Sequence, residues 1–445
     1  MNPLIQHKIA TRIITKRFAA IAVLLFCLVA IQARTIIVVT NTNDSGFGSL
    51  RHALTMAADG DTITFAVTGE ITLTSDQLIV NKDVVIEGPG ANLLRINGNA
   101  RHRVFFVDTN TPPYPPRPKI VVSISGLTIT NGASVDGSGI QNSYADLTVS
   151  NCTISNNVAR EGDGGDGGGG GIYNSGFVSG ETKLTVNNCT IIGNSANYGG
   201  GIYNRNADSQ SGGATLYVDN STISGNSAYV GGGIQNFAGS RRNGNRSATA
   251  TISNSTISGN VATSRGGGIS AEGKGVALFG ISRVIVNNST ISGNSARFGG
   301  AISNFYGASV TIGQTILNTG ASGQNIYRNR NTDTITSLGY NLSNDDGGGL
   351  LNGPGDQPNT VPLLGPLQHN GGPTLTHALL PGSPAIDAGN PSFTPPPHHD
   401  QRDCPFLRVF GGRIDVGAFE TQPQPQSRPC PRTRPRPTPE PRRTP

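Results

Sequence analysis

The stretch NSTISGNSA, Asn220–Ala228, recurs in this chain at 288–296 and, as NSTISGNVA, at 254–262. Two related copies, NCTISNNVA and NCTIIGNSA, begin at Asn151 and Asn188, so that successive copies start 32 to 37 residues apart. A cluster of glycines with one isoleucine follows each copy, and a run rich in β-branched residues precedes the last four. A repeat of this length with so few apolar residues predicts a solenoid of thin layers rather than a globular core.

Each copy contains three candidate strands separated by turn residues. In the copy at 215–236, alternation places Leu216 and Val218 on one face, and two further strands follow around Ile223 and Ile234. No apolar face with helical spacing persists, because Ser, Thr, Asn and Gly dominate every copy. Backbone hydrogen bonds would join each rung to the next, with equivalent residues about 4.8 Å apart. The sequence therefore predicts an all-β chain in which rungs of three strands form a right-handed, single-stranded parallel β-helix.

Repeated asparagines and glycines support this interpretation. Glycine lets the chain turn tightly where a Cβ would clash, and stacked asparagine side chains at a corner can bond to one another. The asparagines expected to form such a ladder are Asn194, Asn226, Asn260 and Asn294.

The cysteines lack the close C-x-x-C spacing of a zinc site. Cys152 and Cys189 occupy the slot that the other copies fill with serine, so they should face inward on neighbouring rungs. In-register strands hold the two Cβ atoms slightly too far apart for an easy disulfide, which favours a buried thiol pair over a disulfide. Cys404 and Cys430 are a second candidate pair, which would tie the C-terminal tail to the body.

The N-terminus is typical of a secretory signal peptide, residues 1–33. Four basic residues and no acidic residue accompany the apolar run FAAIAVLLFCLVAI, and small residues follow it near Ala33. The run is short for a membrane-spanning helix, and no later segment is apolar enough to be one. We therefore expect an exported protein, secreted or at the cell surface, with no transmembrane segment in the mature chain.

The remaining chain divides by composition into four parts. Residues 34–118 form an N-terminal cap and the first coils, and the cap includes a short amphipathic helix with Ser49 as its N-cap. The β-helix repeats follow at 119–330, and a C-terminal closing domain at 331–421. The Pro- and Arg-rich tail, residues 422–445, is predicted to be disordered, serving either to bind an anionic envelope polymer or as a solvated spacer.

Three parts of the chain resemble known families. The run VTNTNDSGFGSLRHALTMAADGDTITF, 39–65, resembles the N-terminal domain named for its CSLREAI motif, although Gly48 replaces its Cys and His52 its Glu. SLGYNLSND, LLGPLQHNGGPTLTHALLPGSPAIDAGN and GGRIDVGAFE resemble the choice-of-anchor Q domain, and the Gly-Gly-Ala-Ile repeats resemble polymorphic outer-membrane adhesins. These resemblances imply a bacterial surface β-helix of the pectate-lyase-like kind. Ile414 stands where many relatives have Cys, so their disulfides are not expected here.

Acidic residues are sparse where a β-helix enzyme would need them. A polysaccharide lyase needs a calcium-binding acid cluster, and an inverting glycoside hydrolase needs carboxylates on adjacent rungs. The central rungs, 188–304, contain only Asp208, Asp219 and Glu272. The segment EGDGGDGGGGG at 161–171 hints at a calcium loop but lacks a nonapeptide repeat.

Other titratable residues fit structural roles better than catalytic ones. Acids in turn-like contexts, and histidines without fixed ligand spacing, are predicted to cap turns or to pack. They are Asp345, Asp346, Asp387, Asp400, Asp403, Asp415, His369, His377, His398 and His399. We therefore assign no catalytic, cofactor-binding or metal-binding residue from the sequence.

The function predicted is that of a non-enzymatic exported protein that presents loops for adhesion or glycan binding. Four insertions, at 175–183, 205–213, 237–247 and 271–280, would project from one corner of a rigid scaffold. The expected partner is a polysaccharide, a cell-surface glycan or a protein, bound by a monomer. No basic face interleaved with aromatics is visible, which argues against nucleic acid. The alternatives are a polysaccharide lyase or glycoside hydrolase, and a passive envelope spacer.

Overall fold

A computed structural model describes residues 34–108, 119–162, 166–176, 181–206, 212–239, 247–273 and 281–423. The predicted signal peptide, most of the predicted tail and parts of all four predicted insertions lie outside these ranges. The architecture below is that of the unit that comprises residues 37–445.

Parallel strands stack into four sheets that follow one another around the central rungs, which confirms the predicted all-β parallel β-helix. Among the described residues the first sheet has eleven strands: Ile36–Val39, Asp61–Phe65, Val84–Glu87, Ile120–Ser125, Ala145–Ser150, Thr182–Asn187, Gly213–Asp219, Ser247–Ser253, Ile281–Asn287, Ser309–Gly313 and Thr334–Gly339. The second sheet consists of Gly69–Thr72, Leu94–Asn97, Thr128–Thr130, Thr153–Ser155, Thr190–Ile192, Thr222–Ser224, Thr256–Ser258, Thr290–Asn294, Ile316–Thr319 and Leu342–Ser343.

The third and fourth sheets complete the rung. The third consists of Ala133–Ser134, Val158–Ala159, Ser195–Tyr198, Ser227–Val230 and Val261–Arg265. The fourth consists of Leu78–Val80, Phe105–Val107, Ile140–Asn142, Ile172–Ser175, Ile202–Asn206, Ile234–Ala238, Ile269–Gly273, Ile302–Phe305 and Ile326–Arg328.

The third sheet was not predicted, since the sequence indicated three strands per rung. In the rung at 213–238, the short run Ser227–Val230 lies between Gly225 and Gly231, both of which have positive φ. The run is short and begins with two small residues, so its local propensity for strand is weak. Pairing of Ser227 with Ser195 and with Val261 in the adjacent rungs makes it a strand.

The core is a set of stacked inward columns of single aliphatic side chains. Leu216, Val218, Ile223 and Ile234 are all buried, as their alternation predicts. The glycine clusters lie where neighbouring rungs come closest, because a Cβ on Gly232 would lie 2.5 Å from the carbonyl oxygen of the glycine above it. These glycines therefore set the spacing between rungs.

The predicted helix is present at Leu50–Met56. The Ser49 hydroxyl accepts a hydrogen bond from the His52 backbone N–H, and Leu50, Ala53 and Leu54 are buried. In the part of the chain that the structure describes, no helix has the length and hydrophobicity needed to cross a membrane.

The predicted asparagine ladder is also present. Asn194, Asn226 and Asn260 each donate from Nδ2 to the Oδ1 of the next asparagine at 2.9 Å, ending at Asn294. Asn157 extends the ladder by one rung. A second ladder, which the sequence analysis missed, links buried asparagines of the fourth sheet at 2.7 to 2.8 Å: Asn142, Asn174, Asn204 and Asn236.

Cys152 and Cys189 are free, buried thiols, as predicted. Burial raises the pKa of the Cys189 thiol well above its usual value, with a further contribution from its hydrogen bond with Cys152. Cys404 is disulfide-bonded, and no other described cysteine is its partner. The pairing of Cys404 with Cys430 stays a prediction, because Cys430 lies outside the described residues.

The closing segment, residues 364–420, folds back onto the outer face of the second sheet. It contains an antiparallel hairpin, Leu364–Gln368 and Thr376–Leu379, and a short 3-10 turn at Gly347–Gly349 precedes it. The threonine of each NST copy contacts it: Thr222 Oγ1 donates to the Leu375 carbonyl, Thr256 Oγ1 donates to Gln401 Oε1, and Thr290 Oγ1 accepts from the Ala418 N–H. The repeated threonine is therefore the docking row for this segment.

Candidate binding face

The acids that the sequence singled out in the central rungs do not form a catalytic group. Asp219 lies at the corner between the first and second sheets, where burial, with a contribution from the nearby Asp403 charge, raises its pKa to about 6. Glu272 lies in the fourth sheet and accepts two hydrogen bonds from Arg265, at 2.9 and 3.0 Å. Asp208 lies outside the described residues.

The acids of the closing segment bind backbone N–H groups in turns or pair with arginine. Asp415 accepts from the N–H groups of Asp387 and Thr421, and Asp403 accepts from the Cys404 N–H. Asp400 accepts from the Arg402 side chain at 2.6 Å. These carboxylates hold the segment together.

Asp345 and Asp346 likewise organise the turn before the closing segment. Asp345 Oδ1 accepts from the Gly347 N–H, and Asp346 Oδ1 accepts from the Gly348 N–H. Both acids thus cap this turn.

The histidines show no shared ligand geometry. His377 is buried between the Gly365 carbonyl and the Ser258 hydroxyl, and burial lowers its pKa. His399 lies 3.8 Å from Asp403, the His398 carbonyl accepts from the Arg408 N–H, and His369 is exposed. Within the described ranges, no three His, Cys, Asp or Glu side chains converge as a metal site would require. Residues 163–165 of the Asp- and Gly-rich segment at 161–171 lie outside those ranges.

A face that the sequence analysis missed combines aromatic rings with arginines along the solenoid axis. Strand register stacks Tyr173, Tyr203, Gln235, Ser270, Ser303 and Tyr327 in one column of the fourth sheet. All of these residues except the half-buried Tyr327 are buried. Side chains of the third sheet and of the segments beside it lie next to this column. We call the outer surface of the third and fourth sheets the aromatic–arginine face. It contains two clusters of rings.

The N-terminal cluster is built on Tyr173, Tyr198 and Tyr203. Ring centroids lie 5.4 Å apart for Tyr173–Tyr203 and 5.9 Å apart for Tyr198–Tyr203. Arg205 donates to the Tyr173 hydroxyl at 2.8 Å and pairs with Asp166 at 3.0 Å. Burial raises the pKa of Tyr203 well above its usual value, so these hydroxyls stay neutral.

Two carboxylates border this cluster from neighbouring rungs. Asp136 accepts from the Gly168 N–H, and burial raises its pKa. The charges of Asp166 and Arg205 also act on Asp136. The charge of Arg205 is thus offset by carboxylates within the N-terminal cluster.

The C-terminal cluster is built on Phe298, Phe305, Tyr306 and Tyr327. Tyr327 lies 4.9 Å from Phe298 and 5.5 Å from Phe305, and Tyr306 lies 5.7 Å from Phe305, all between ring centroids. Arginine guanidinium groups lie over the rings at cation–π distance. The pairs are Arg297 over Phe298 at 5.0 Å, Arg265 over Phe305 at 4.9 Å and Arg330 over Tyr306 at 5.4 Å.

The predicted insertions begin at the edge of this face. Arg205, Phe237 and Glu272 are in register near the ends of successive strands of the fourth sheet, at the start of three of the insertions. The residues within the insertions at 177–180, 207–211, 240–246 and 274–280 lie outside the described ranges.

The outer face of the first sheet is different. Its outward columns are rich in Thr and Ser, such as Thr215 and Thr249. The larger exposed side chains on these columns include Val121, Lys183, Tyr217, Ile281 and Arg283.

The aromatic–arginine face is not evident in the sequence, because strand register and not proximity along the chain brings its rings together. Tyr173 and Tyr203 are 30 residues apart, and only the strand register makes them neighbours. The available signal was the residue after each core isoleucine, as in IYN and IYNRN. The expectation that no face combines arginines with aromatics was wrong, while the expectation about nucleic acid stays a prediction.

Comparison with known proteins gives two similarities. The Chlamydia polymorphic membrane protein (Chlamydia_PMP) repeat matches residues 151–175 and 254–272, which are parts of the rungs described above. A pectate lyase, Pel9A, has a similar solved structure at 14% sequence identity and a TM-score of 0.45, covering 88% of this chain and 98% of the lyase chain. No curated protein sequence matches the chain.

Proposed function

We propose that this chain is an exported, non-enzymatic surface protein that binds glycan along the aromatic–arginine face. The observation that carries the proposal is the combination on one face of partly exposed rings, such as Tyr198 and Tyr327, with exposed arginines such as Arg297. Sugar rings present C–H groups that pack on aromatic faces, and their hydroxyls bond to guanidinium and amide groups. The rungs repeat these groups along the axis, which suits an extended chain ligand.

The matched repeat supports a surface location, because its family is described as a polymorphic membrane protein. We propose that the signal peptide directs export, that the closing segment is a domain of the choice-of-anchor Q type, and that the monomer is the binding unit. The Arg-rich tail would bind an anionic envelope polymer. A host or cell-surface protein is the other partner class that the insertions would serve.

The test measures retention and product release together. The purified full chain is passed over immobilised polysaccharides, neutral and acidic, with and without calcium. We expect retention without released oligosaccharide. Tyr198→Ala, on the face, should weaken retention about fivefold, whereas Tyr217→Ala, on the first sheet, should leave it unchanged. Equal loss in both variants, or no retention on any polymer, would contradict the proposal and leave protein adhesion or a spacer role.

One observation favours an enzyme as the second candidate. Asp136 and Asp166 border the N-terminal cluster from neighbouring rungs, beside Arg205 and the Tyr173 hydroxyl. A carboxylate of raised pKa beside a second carboxylate is the arrangement that general acid–base cleavage of glycosidic bonds uses. Release of oligosaccharides by the parent chain, abolished in Asp136→Asn, would establish this candidate in place of the binder.

A further inference from the structure

The two clusters of the aromatic–arginine face differ in charge. In the N-terminal cluster, Arg205 is paired with Asp166. In the C-terminal cluster, Arg297 and Arg330 are exposed. Among the described residues, no carboxylate lies within ion-pair distance of these two guanidinium groups.

The acids closest to the C-terminal cluster are already bonded. Glu272 is held by both of its bonds to Arg265. Asp333 is buried, and its oxygens accept from the backbone N–H groups of Gly307 and Arg330. Neither acid forms an ion pair with Arg297 or Arg330, so both guanidinium groups are available to pair with a ligand.

The rings beside these arginines are positioned for stacking. Phe298, Tyr306 and Tyr327 are half-buried, and Phe305 packs behind them, so that the cluster presents ring surface on a fixed support. Stacking of Arg297 on Phe298 and of Arg330 on Tyr306 restrains both guanidinium groups. A preorganised guanidinium loses less entropy when it forms paired hydrogen bonds to a carboxylate or sulfate.

We propose that the C-terminal cluster is a binding subsite for an acidic polysaccharide, in which the rings stack on sugar units and the arginines bind carboxylate or sulfate groups. This inference rests on the proposed function and names the ligand class for that face. Charge complementarity carries it, because the arginines lack acidic partners where the rings are accessible. A neutral glycan would leave these cations unpaired, and the N-terminal cluster, where carboxylates offset Arg205, offers no such selection.

The test separates this cluster from the tail, which has six arginines. The background is the full chain with Arg428, Arg432, Arg434, Arg436, Arg442 and Arg443 changed to Gln. The probes are polygalacturonate, the same polymer fully methyl-esterified, and single-stranded DNA of comparable length. Retention is measured at low and at moderate salt.

We expect the background chain to bind polygalacturonate about tenfold more tightly than the ester, with the difference shrinking as salt is added. Arg297→Gln with Arg330→Gln should remove most of that difference. Arg283→Gln, an exposed arginine on the first sheet, is the matched control and should stay within about twofold.

Tyr306→Asn tests stacking, since asparagine tolerates the positive φ of 55° at this position. It should weaken retention of both polymers about threefold, whatever their charge. An unchanged Tyr306→Asn variant would remove the stacking part of the proposal.

Three outcomes overturn the proposal. Equal retention of the acid and ester polymers would show that the face binds glycan without selecting charge, leaving the proposed function intact. Equal losses of polygalacturonate retention in Arg283→Gln and in the double variant would show a general effect of net charge. Tighter retention of DNA than of polygalacturonate would assign the cluster to nucleic acid instead.

Discussion

The rungs at 182–294 and the closing segment at 364–420 both bury polar groups, but they satisfy them with different chemistry. In the rungs, neutral amides repeat, and each asparagine such as Asn226 bonds to its equivalents above and below. In the closing segment, charged groups are buried. Arg402 lies 3.8 Å from the rings of both Phe406 and Phe419 and bonds to Asp400.

This difference in the bonding of buried polar groups follows from the repetition of the rungs. A residue in a rung has an identical neighbour about 4.8 Å away, so a neutral amide finds both a donor and an acceptor without a special partner. The closing segment occurs once, so each buried group needs a partner placed by a unique fold. Charged hydrogen bonds supply that placement, and losing one partner leaves an unpaired buried charge. Stability should therefore be distributed in the rungs and concentrated in the segment.

The largest effect is expected from Asp400→Ala. Arg402 would stay buried without its carboxylate, which costs about 4 kcal/mol. The closing segment should lose amide hydrogen-exchange protection while the rungs keep theirs. Asp346→Asn, an exposed acid in the preceding turn, is the control and should cost little. Protection lost equally in the rungs would mean that segment and solenoid unfold as one unit.

The second prediction compares two asparagines of one repeat. Asn226 makes four ladder bonds with Asn194, Asn260 and Ile191, so Asn226→Ala should cost about 3 kcal/mol of unfolding free energy. Asn220 has a φ of 49°, which glycine also adopts, so Asn220→Gly should cost no more than about 1 kcal/mol. Denaturant unfolding of both variants provides the measurement. A loss of no more than about 1 kcal/mol in Asn226→Ala would show that the ladder is dispensable.

The third prediction concerns pH. Burial, with the nearby charge of Asp415, raises the pKa of Glu420 from 4.5 to about 8. The folded segment thus holds a proton that the unfolded chain releases, so stability is full below pH 4.5 and falls as pH rises toward 8. The expected slope is about 1 kcal/mol per pH unit.

Glu420→Gln tests this dependence, because it keeps the side chain neutral at every pH. Its closing segment should show much less loss of hydrogen-exchange protection between pH 5 and 8 than the parent, whereas the exposed control Glu87→Gln should follow the parent. Parallel pH profiles for Glu420→Gln and the parent would assign the dependence to another group, such as Asp415 or Asp219.

The smallest effect is expected from Cys189→Ser. The equivalent Ser221 donates to the Asp219 carbonyl at 2.7 Å, and Cys189 Sγ lies 3.2 Å from the Asn187 carbonyl oxygen in the same arrangement. The substitution should change the unfolding free energy by less than about 1 kcal/mol. Denaturant unfolding measures this change, and thiol titration of the native and unfolded chain shows whether Cys152 and Cys189 are free. A loss of several kcal/mol would indicate a Cys152–Cys189 disulfide.

The sequence by itself determined the rung. The spacing of NSTISGNSA, the alternation at Leu216 and Val218, and the repeated asparagines were enough, because each depends on contacts within a repeat or between identical positions. The helix at Leu50–Met56 was equally predictable from its N-cap and apolar face. The pattern of one repeat is enough to predict a contact when the partner of a residue is the equivalent residue in the next repeat.

Only the tertiary structure decided what lies on the outside of the rungs. The third sheet depends on pairing of a short run with weak strand propensity, and the closing segment meets Thr222 more than 150 residues away in sequence. Tyr203 and Tyr327 share one column because of the strand register, and the insertions between the strands of that column vary in length. The candidate site therefore depends on strand register, which brings together residues that are far apart in the sequence.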